Sequence, residues 1–194
     1  MITAVIDKLQ SKYPQHNFRQ MIIPPLKGLI DNSYGTVVSF QVIEHIKEDL
    51  YFLEEIYRVL RPGGKALITT PNIKNSISRN PWHVREYTAD ELMDLAKNVF
   101  SDVKILGITG NEKVMSYYEE NRKSVNKIMR WDLLNLQHRL PASLLKLPYE
   151  LLNRLNRNKL NSINSGLVSE INHKDYILSR DADSSLDLFC ILTK

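Results

Sequence analysis

Two short stretches carry side chains able to move protons. In "QVIEHI" Glu44 and His45 are adjacent, and in "NPWHVREYT" His83 and Glu86 stand three residues apart. An imidazole with an unperturbed pKa of about 6.5 suits a general base for a hydroxyl or an amine. The competing reading of His45 is a packed, hydrogen-bonded residue that frames a pocket. His83 and Glu86 can work as an acid–base pair or orient a bound molecule. The alternative is that they anchor a loop, with Trp82 and Tyr87 packed around it. Glu44 reads as structural, because a carboxylate is favourable at a helix N-terminus on dipole grounds alone. Two such groups do not make a metal site, which normally needs at least three protein ligands, so no metal is expected. Cys190 lies in the apolar run "LDLFCIL" and reads as a small buried hydrophobe.

The elements around these residues alternate between strand and helix. Ile2, Val5, Ile6 and Leu9 recur at helical spacing, and Pro14 ends that helix. "NFRQMII" is expected as a strand stopped by Pro24 and Pro25. "DNSYG" is turn chemistry, and "TVVSF" behind it is a short apolar strand of the buried parallel type. A helix is expected next, with Ile46, Leu50, Leu53, Ile56 and Leu60 on one face. "RPGG" breaks it: proline cannot continue a helix, and glycine takes the left-handed conformation that leaves one. "KALITT" is then a strand ended by "PN", which makes a right-handed crossover in a parallel sheet. "TADE" has the form of a capping box ahead of Leu92, Leu95, Ala96 and Val99. "DVKILGI", "DYILS" and "LDLFCIL" are further strands.

Composition narrows the function classes. The 194 residues, 43% hydrophobic and 25% charged, suit one soluble domain, or one domain with a sizeable insertion. The formal charge of +4 is mildly basic. One cysteine excludes a disulfide within the chain. Asp7 and Lys8 interrupt the first apolar pattern, so it is not a secretory signal. No apolar run approaches the roughly 18 residues of a membrane span. A cytoplasmic location is the default expectation.

The stretch "SYGTVVSFQVIEHI…FLEEIYRVLRPGGKALITTPN" resembles class I S-adenosylmethionine-dependent methyltransferases, in particular the branch with a Glu-His pair after the fourth strand and Arg-x-Leu-x-Pro-Gly-Gly after the next helix. "NPWHVREYTADELMDLAKNVFSDVKILGI" and "LDLFCILTK" continue the likeness. The resemblance implies a Rossmann-like α/β fold, with a sheet in the order 3-2-1-4-5-7-6 and an antiparallel last strand. It further implies that S-adenosylmethionine lies beyond the carboxyl ends of the first, second and fourth strands, where open α/β sheets hold ligands. Ser39, Phe40, Gln41, Val42 and His45 are then the cofactor-contacting positions. His45, His83 and Glu86 lie on the acceptor side as the catalytic candidates. Methyl transfer to the oxygen or nitrogen of a small-molecule, sugar-linked or lipid-linked acceptor follows as the expected reaction.

The family's glycine-rich turn and the acidic end of its second strand are missing. No G-x-G occurs among the seven glycines. Three arrangements meet this: a fragment of a longer protein, a rearranged sheet with "NFRQMII" beside "TVVSF", or a front half supplied by another polypeptide. An unpaired apolar edge at Val37 and Val38 is what natural proteins avoid, so a homodimer through that edge is also expected. The alternative function is a non-catalytic methyltransferase-like module that binds a partner through this edge.

Residues 1–111 are therefore expected as a partial core, 112–174 as a helical insertion with a linker, and 175–194 as strands that complete the sheet. From 121 to 160 the insertion carries nine Lys and Arg residues against Asp132 and Glu150. "LPASLLKLPYELLNRLNRNKL" mixes leucines with basic residues. That suits a lid with a solvated basic face, an anionic acceptor, or a peripheral contact with an anionic membrane. "NRNKLNSINSGLVSEINHK" reads as a linker. Nucleic acid is not expected, because Trp131 and Tyr149 are sparse aromatics and no reader module is present.

Overall fold

The structure, a computed structural model, describes residues 2–130, 132, 136–163 and 170–194. Helix α1 (Ile2–Lys12) forms on the predicted periodicity but buries none of its residues. The expected strand at 17–23 does not form. A strand needs a partner ladder, and the following backbone is clamped to a helix instead. Arg58 donates to the carbonyls of Leu26 and Leu29 at 3.1 and 2.9 Å and pairs with Asp31, while Glu55 accepts from the Leu26 amide at 2.7 Å. The bond from Arg58 holds the Glu55 carboxyl below the usual range despite its burial.

Strand β1 (Tyr34–Phe40) runs parallel to β2 (Leu60–Pro71), and a short 3-10 turn (Ile43–His45) and helix α2 (Asp49–Val59) lie between them. The helix starts three residues later than the apolar spacing predicts. Phe52, Leu53, Ile56 and Val59 are buried, Leu60 opens β2, and Leu50 is exposed. Glu44 and His45 thus sit on the 3-10 turn and not at the N-terminus of α2. Helix α3 (Ala89–Lys97) carries the expected capping box between Thr88 and Glu91. Strand β3 (Asp102–Gly110) follows, then helices α4 (Glu112–Met129), α5 (Leu136–Arg139) and α6 (Ala142–Ile163), and strands β4 (Tyr176–Ser179) and β5 (Asp187–Thr193).

The sheet order is β1-β2-β5-β3-β4, and β5 runs antiparallel to both neighbours. This is the 4-5-7-6 portion of the expected order with β4 added outside β3. The fold is α/β and Rossmann-like with an antiparallel last strand. The core packs Ile43, Phe52, Leu53 and Ile56 with Ile68, Leu92, Phe100, Leu188 and Leu192. Burial pushes the Cys190 thiol up to about 12, which fits an inert core residue. Among the described residues β1 is a sheet edge, and Val38 and Phe40 are exposed there.

The insertion packs as helix on helix. Asn156 is buried, accepts from the Ser124 hydroxyl at 2.6 Å and donates to Asn121 at 2.7 Å. It is therefore helix core, and the linker expected from residue 156 is helical as far as Ile163. Residues 164–169 of that segment, Trp131, and the side chains of Arg157 and Lys159 lie outside what is described. No described helix is long and apolar enough to cross a membrane.

The turn before β5 presses on β3 at Gly107. A Cβ there would overlap the side chain of Ser185, itself buried and bonded to the Asp181 carbonyl at 2.7 Å. Gly107→Ala is expected to cost about 2–3 kcal/mol by overpacking, read as a lower urea midpoint. Adding Ser185→Gly should recover part of it. Unchanged stability in the single variant would show that the turn does not bear on the strand.

Candidate active site

β1 delivers four residues to the carboxyl end of the sheet. Ser39 is buried and its hydroxyl has no hydrogen-bond partner among the described residues. Phe40 is 54% exposed. Gln41 takes a left-handed conformation with φ 54, so the chain turns sharply, and its amide donates to the Thr69 carbonyl at 3.0 Å. That bond ties the turn to β2. Val42 packs against the core.

The 3-10 turn then points its side chains at the loop after β2. Glu44 is 1% exposed, and its carboxylate accepts from the Thr70 hydroxyl at 3.2 Å. Its backbone carbonyl accepts from the amides of Val84 and Arg85 at 2.7 and 3.2 Å. Glu44 is therefore a buried anchor for the loop after β2, on a 3-10 turn and not at the N-terminus of α2. The ring of His45 bonds the Trp82 carbonyl through Nδ1 at 2.9 Å. A carbonyl only accepts, so Nδ1 carries the proton and Nε2 the lone pair.

His83 and Glu86 do pair, with Nδ1 to Oε1 at 2.6 Å. Asn80 accepts from the Trp82 amide, which turns its Nδ2 towards His83 Nε2 at 2.8 Å. His83 is thus the tautomer with its proton on Nδ1. Burial pushes the Glu86 carboxyl up, but the bonds from His83 and Ser76 outweigh it and leave the carboxyl below the usual range. The rings of His45 and His83 meet edge to face at 4.9 Å. So the fold joins the two sites that the sequence shows 38 residues apart. Trp82 remains exposed beneath the Lys146 ammonium, 3.9 Å away. Tyr87 is fully buried and donates to Asp49 at 2.8 Å.

Two residues escaped the sequence reading. Asn72, fully buried at the end of β2, donates from Nδ2 towards the carbonyls of Ala182, Asp183 and Ser185 at 3.0, 3.0 and 2.9 Å. Its only sequence signal was the "PN" stop. Asp187 opens β5 opposite Pro71. Burial pushes its carboxyl up to about 6, a bond from Gln41 opposes the rise, and the Glu44 carboxylate adds to it. The folded pKa lies above the unfolded value of about 3.9, so the native state holds this proton more tightly. The contribution is full below about pH 4 and is lost as pH rises through about 6. Wild type is expected to lose about 2 kcal/mol relative to Asp187→Asn between pH 4 and 7.5. Parallel urea curves for the two proteins across that range would contradict it.

The geometry can be set beside known proteins. Residues 1–68 match a family model described as a methyltransferase domain. A probable S-adenosylmethionine-dependent methyltransferase of Mycolicibacterium smegmatis is 40% identical over 106 residues, covering 52% of this chain and 41% of that protein. One from Mycobacterium tuberculosis is 41% identical over 111 residues, covering 54% and 40%. Over this part of its length the chain is similar to S-adenosylmethionine-dependent methyltransferases. It spans about two fifths of the length of these curated relatives. Among solved structures, a SAM-dependent methyltransferase from Thermotoga maritima, a possible histamine N-methyltransferase, superposes with a TM-score of 0.53 at 12% identity, covering 96% of this chain and 68% of that one. The cyclase SpnF gives 0.51 at 14%, covering 98% and 62%. Likeness at this level shows the fold alone.

S-adenosylmethionine is the methyl donor of the methyltransferases that this chain resembles. The orphan Ser39 hydroxyl, the exposed Phe40 ring and the left-handed turn at Gln41 fit one wall of such a site. The described residues contain no glycine-rich turn to form the opposite wall, since Gly28 and Gly35 alone precede β2 and neither follows a strand.

Proposed function

We propose that this chain carries the acceptor-facing half of a methyltransferase that methylates a hydroxyl or amine on a molecule with an apolar portion, of the lipid-linked kind. The observation that supports this is an apolar cavity of about 450 Å³ between the insertion and the loop after β2. Val125, Ile128, Leu140, Leu145 and Tyr149 line it, together with Pro81 from the loop that holds His83. Tyr149 also ties the cavity to the proton-handling pair: burial, and then the charge of Glu86, push its hydroxyl up. Bonds from Arg79 to Gln137 at 2.8 Å and from Tyr118 to Asn75 hold the roof in place.

S-adenosylmethionine, when bound, supplies an already activated methyl group. The protein then has to seat the acceptor, exclude water and take up the acceptor's proton. Seating falls to the cavity. Proton uptake falls to His83 Nε2, released from the Asn80 amide, with Glu86 holding the ring. Ser39, Phe40, Gln41 and Val42 line the donor side, and His45 lies between the two.

Radiolabelled methyl transfer from S-adenosylmethionine to alkyl glycosides of graded chain length tests the reading. Burial of each methylene contributes about 0.8 kcal/mol, so the apparent affinity should rise about fourfold per added carbon until the cavity is filled. No transfer to any acceptor while the donor binds would favour the non-catalytic module. A second reading, a peripheral contact with an anionic membrane, is favoured by Leu144, Leu147, Leu151 and Leu155, which α6 leaves exposed beside Lys146 and Arg154. Flotation with anionic liposomes at low salt checks it, and failure to float removes it.

A further inference from the structure

We infer that Glu44, His45 and His83 form a binding site for a divalent transition-metal ion. Sequence spacing offered only His83 and Glu86, two groups, and led to the expectation of no metal. The fold replaces that pair with three: one ring nitrogen from each histidine and one Glu44 carboxylate oxygen lie within 4.8 Å of one another. Two imidazoles and one carboxylate are a donor set that takes zinc and its first-row neighbours and leaves coordination positions open.

Three features beyond proximity point to an ion. Each ligand has a hydrogen bond behind it that fixes its orientation. Thr70 bonds the Glu44 carboxylate, the Trp82 carbonyl takes His45 Nδ1, and the Glu86 carboxylate takes His83 Nδ1. Such outer partners are what hold histidine ligands in the metal-binding tautomer. Both rings consequently carry their lone pair on Nε2. At His45 that atom is the one 3.8 Å from Glu44 Oε1. At His83 it accepts from the Asn80 amide, which an ion would displace. Last, Glu44 is a buried carboxylate with no Lys or Arg pair among the described residues. A buried charge without a partner is costly, and a cation would offset it.

The geometry needs little adjustment. Metal–nitrogen bonds of about 2.0–2.1 Å in a tetrahedron place ligand atoms about 3.3 Å apart. The His45–Glu44 separation is within half an ångström of that, and small side-chain rotations bring in donor atoms that already lie within 4.8 Å of one another. An ion held here would sit between the donor wall and the apolar cavity and polarise an acceptor oxygen or nitrogen. His83 would then act as a ligand, and the ion would take over activation of the acceptor. This role rests on the methyltransferase reading above, whereas the binding itself does not.

Cobalt(II) is the probe, because its visible absorption reports a protein-held ion independently of turnover. Titrating the chain should give a saturable one-to-one spectrum. His45→Ala and His83→Ala should each weaken binding more than tenfold, Glu86→Gln should weaken it about 10-fold to 100-fold, and His173→Ala should not change it. His45 is exposed, so its replacement should fold; His45→Gln, checked by circular dichroism, is a second variant at the same position. A featureless titration, or binding unchanged in the His45 and His83 variants, overturns the site. Methyl transfer that survives a chelator, together with a featureless titration, discards the site and keeps the methyltransferase reading. A cobalt site lost in both variants, with no transfer to any acceptor, keeps the site and discards the reading.

Discussion

Exchanging Asn72 for leucine is expected to lower the unfolding free energy by about 2–3 kcal/mol. The two side chains are close in size, so no cavity complicates the result. What is lost is the amide that reaches Ala182, Asp183 and Ser185, and the Oδ1 that accepts from the Lys74 amide at 3.1 Å. Asn75 still donates to Asp183 and Ser185, and the Ser185 amide still reaches Ala182. That sharing keeps the cost below a full desolvation penalty for each carbonyl. Asn72→Asp should be worse at pH 7, since it turns a carboxylate towards three carbonyl oxygens, and it should recover on acidification as the carboxyl protonates. Amide exchange should quicken first at 181–186. Urea curves that place both variants level with wild type would mean that the end of β2 does not depend on this residue.

His83→Ala is expected to slow methyl transfer about 10²-fold to 10³-fold, the usual contribution of a placed proton acceptor. Stability should fall by about 1–3 kcal/mol, because Glu86 loses the partner that offsets its burial, so rates are compared on folded protein. The Nδ1 bond to Glu86 fixes the ring, and the Asn80 amide marks where Nε2 points. Glu86→Gln keeps an oxygen acceptor for the ring and removes only the charge, so its loss should be smaller, about tenfold. The comparison is made on initial rates with the longest alkyl glycoside that is turned over. Equal rates for His83→Ala and wild type would reduce the pair to a loop anchor.

The crossover unit was legible because it is local. The apolar run of β1 and the helix period of α2 each specify their own conformation within a few residues, whereas Arg61 to Gly64, expected as a turn, lie within β2, which already starts at Leu60. The capping box at Thr88 was read for the same reason. The His83–Glu86 pair needed only the three-residue spacing. Other features depend on sheet order and were out of reach. His45 meets His83, Glu44 meets Thr70 and Asn72 meets the turn before β5 only once the strands are aligned. The strand expected at 17–23 failed for a complementary reason: its pattern suits a strand, but the nearby backbone found hydrogen bonds on Arg58 and Glu55. Helix α2 lost its first turn because "VIEHI" folds as a 3-10 turn that buries Ile43 and Glu44. Asp187 looked like an ordinary strand polar residue, and only its burial beside Glu44 makes it titrate high.

The carboxyl end of β1 as a wall of the S-adenosylmethionine site is the claim on which the functional account stands. Titrating the ¹⁵N-labelled chain with S-adenosylhomocysteine up to millimolar concentration, and following amide shifts, tests it most directly. Shifts concentrated at residues 39–45 and at Thr70 to Asn72 are predicted. No shift there, or shifts confined to the insertion, would contradict it.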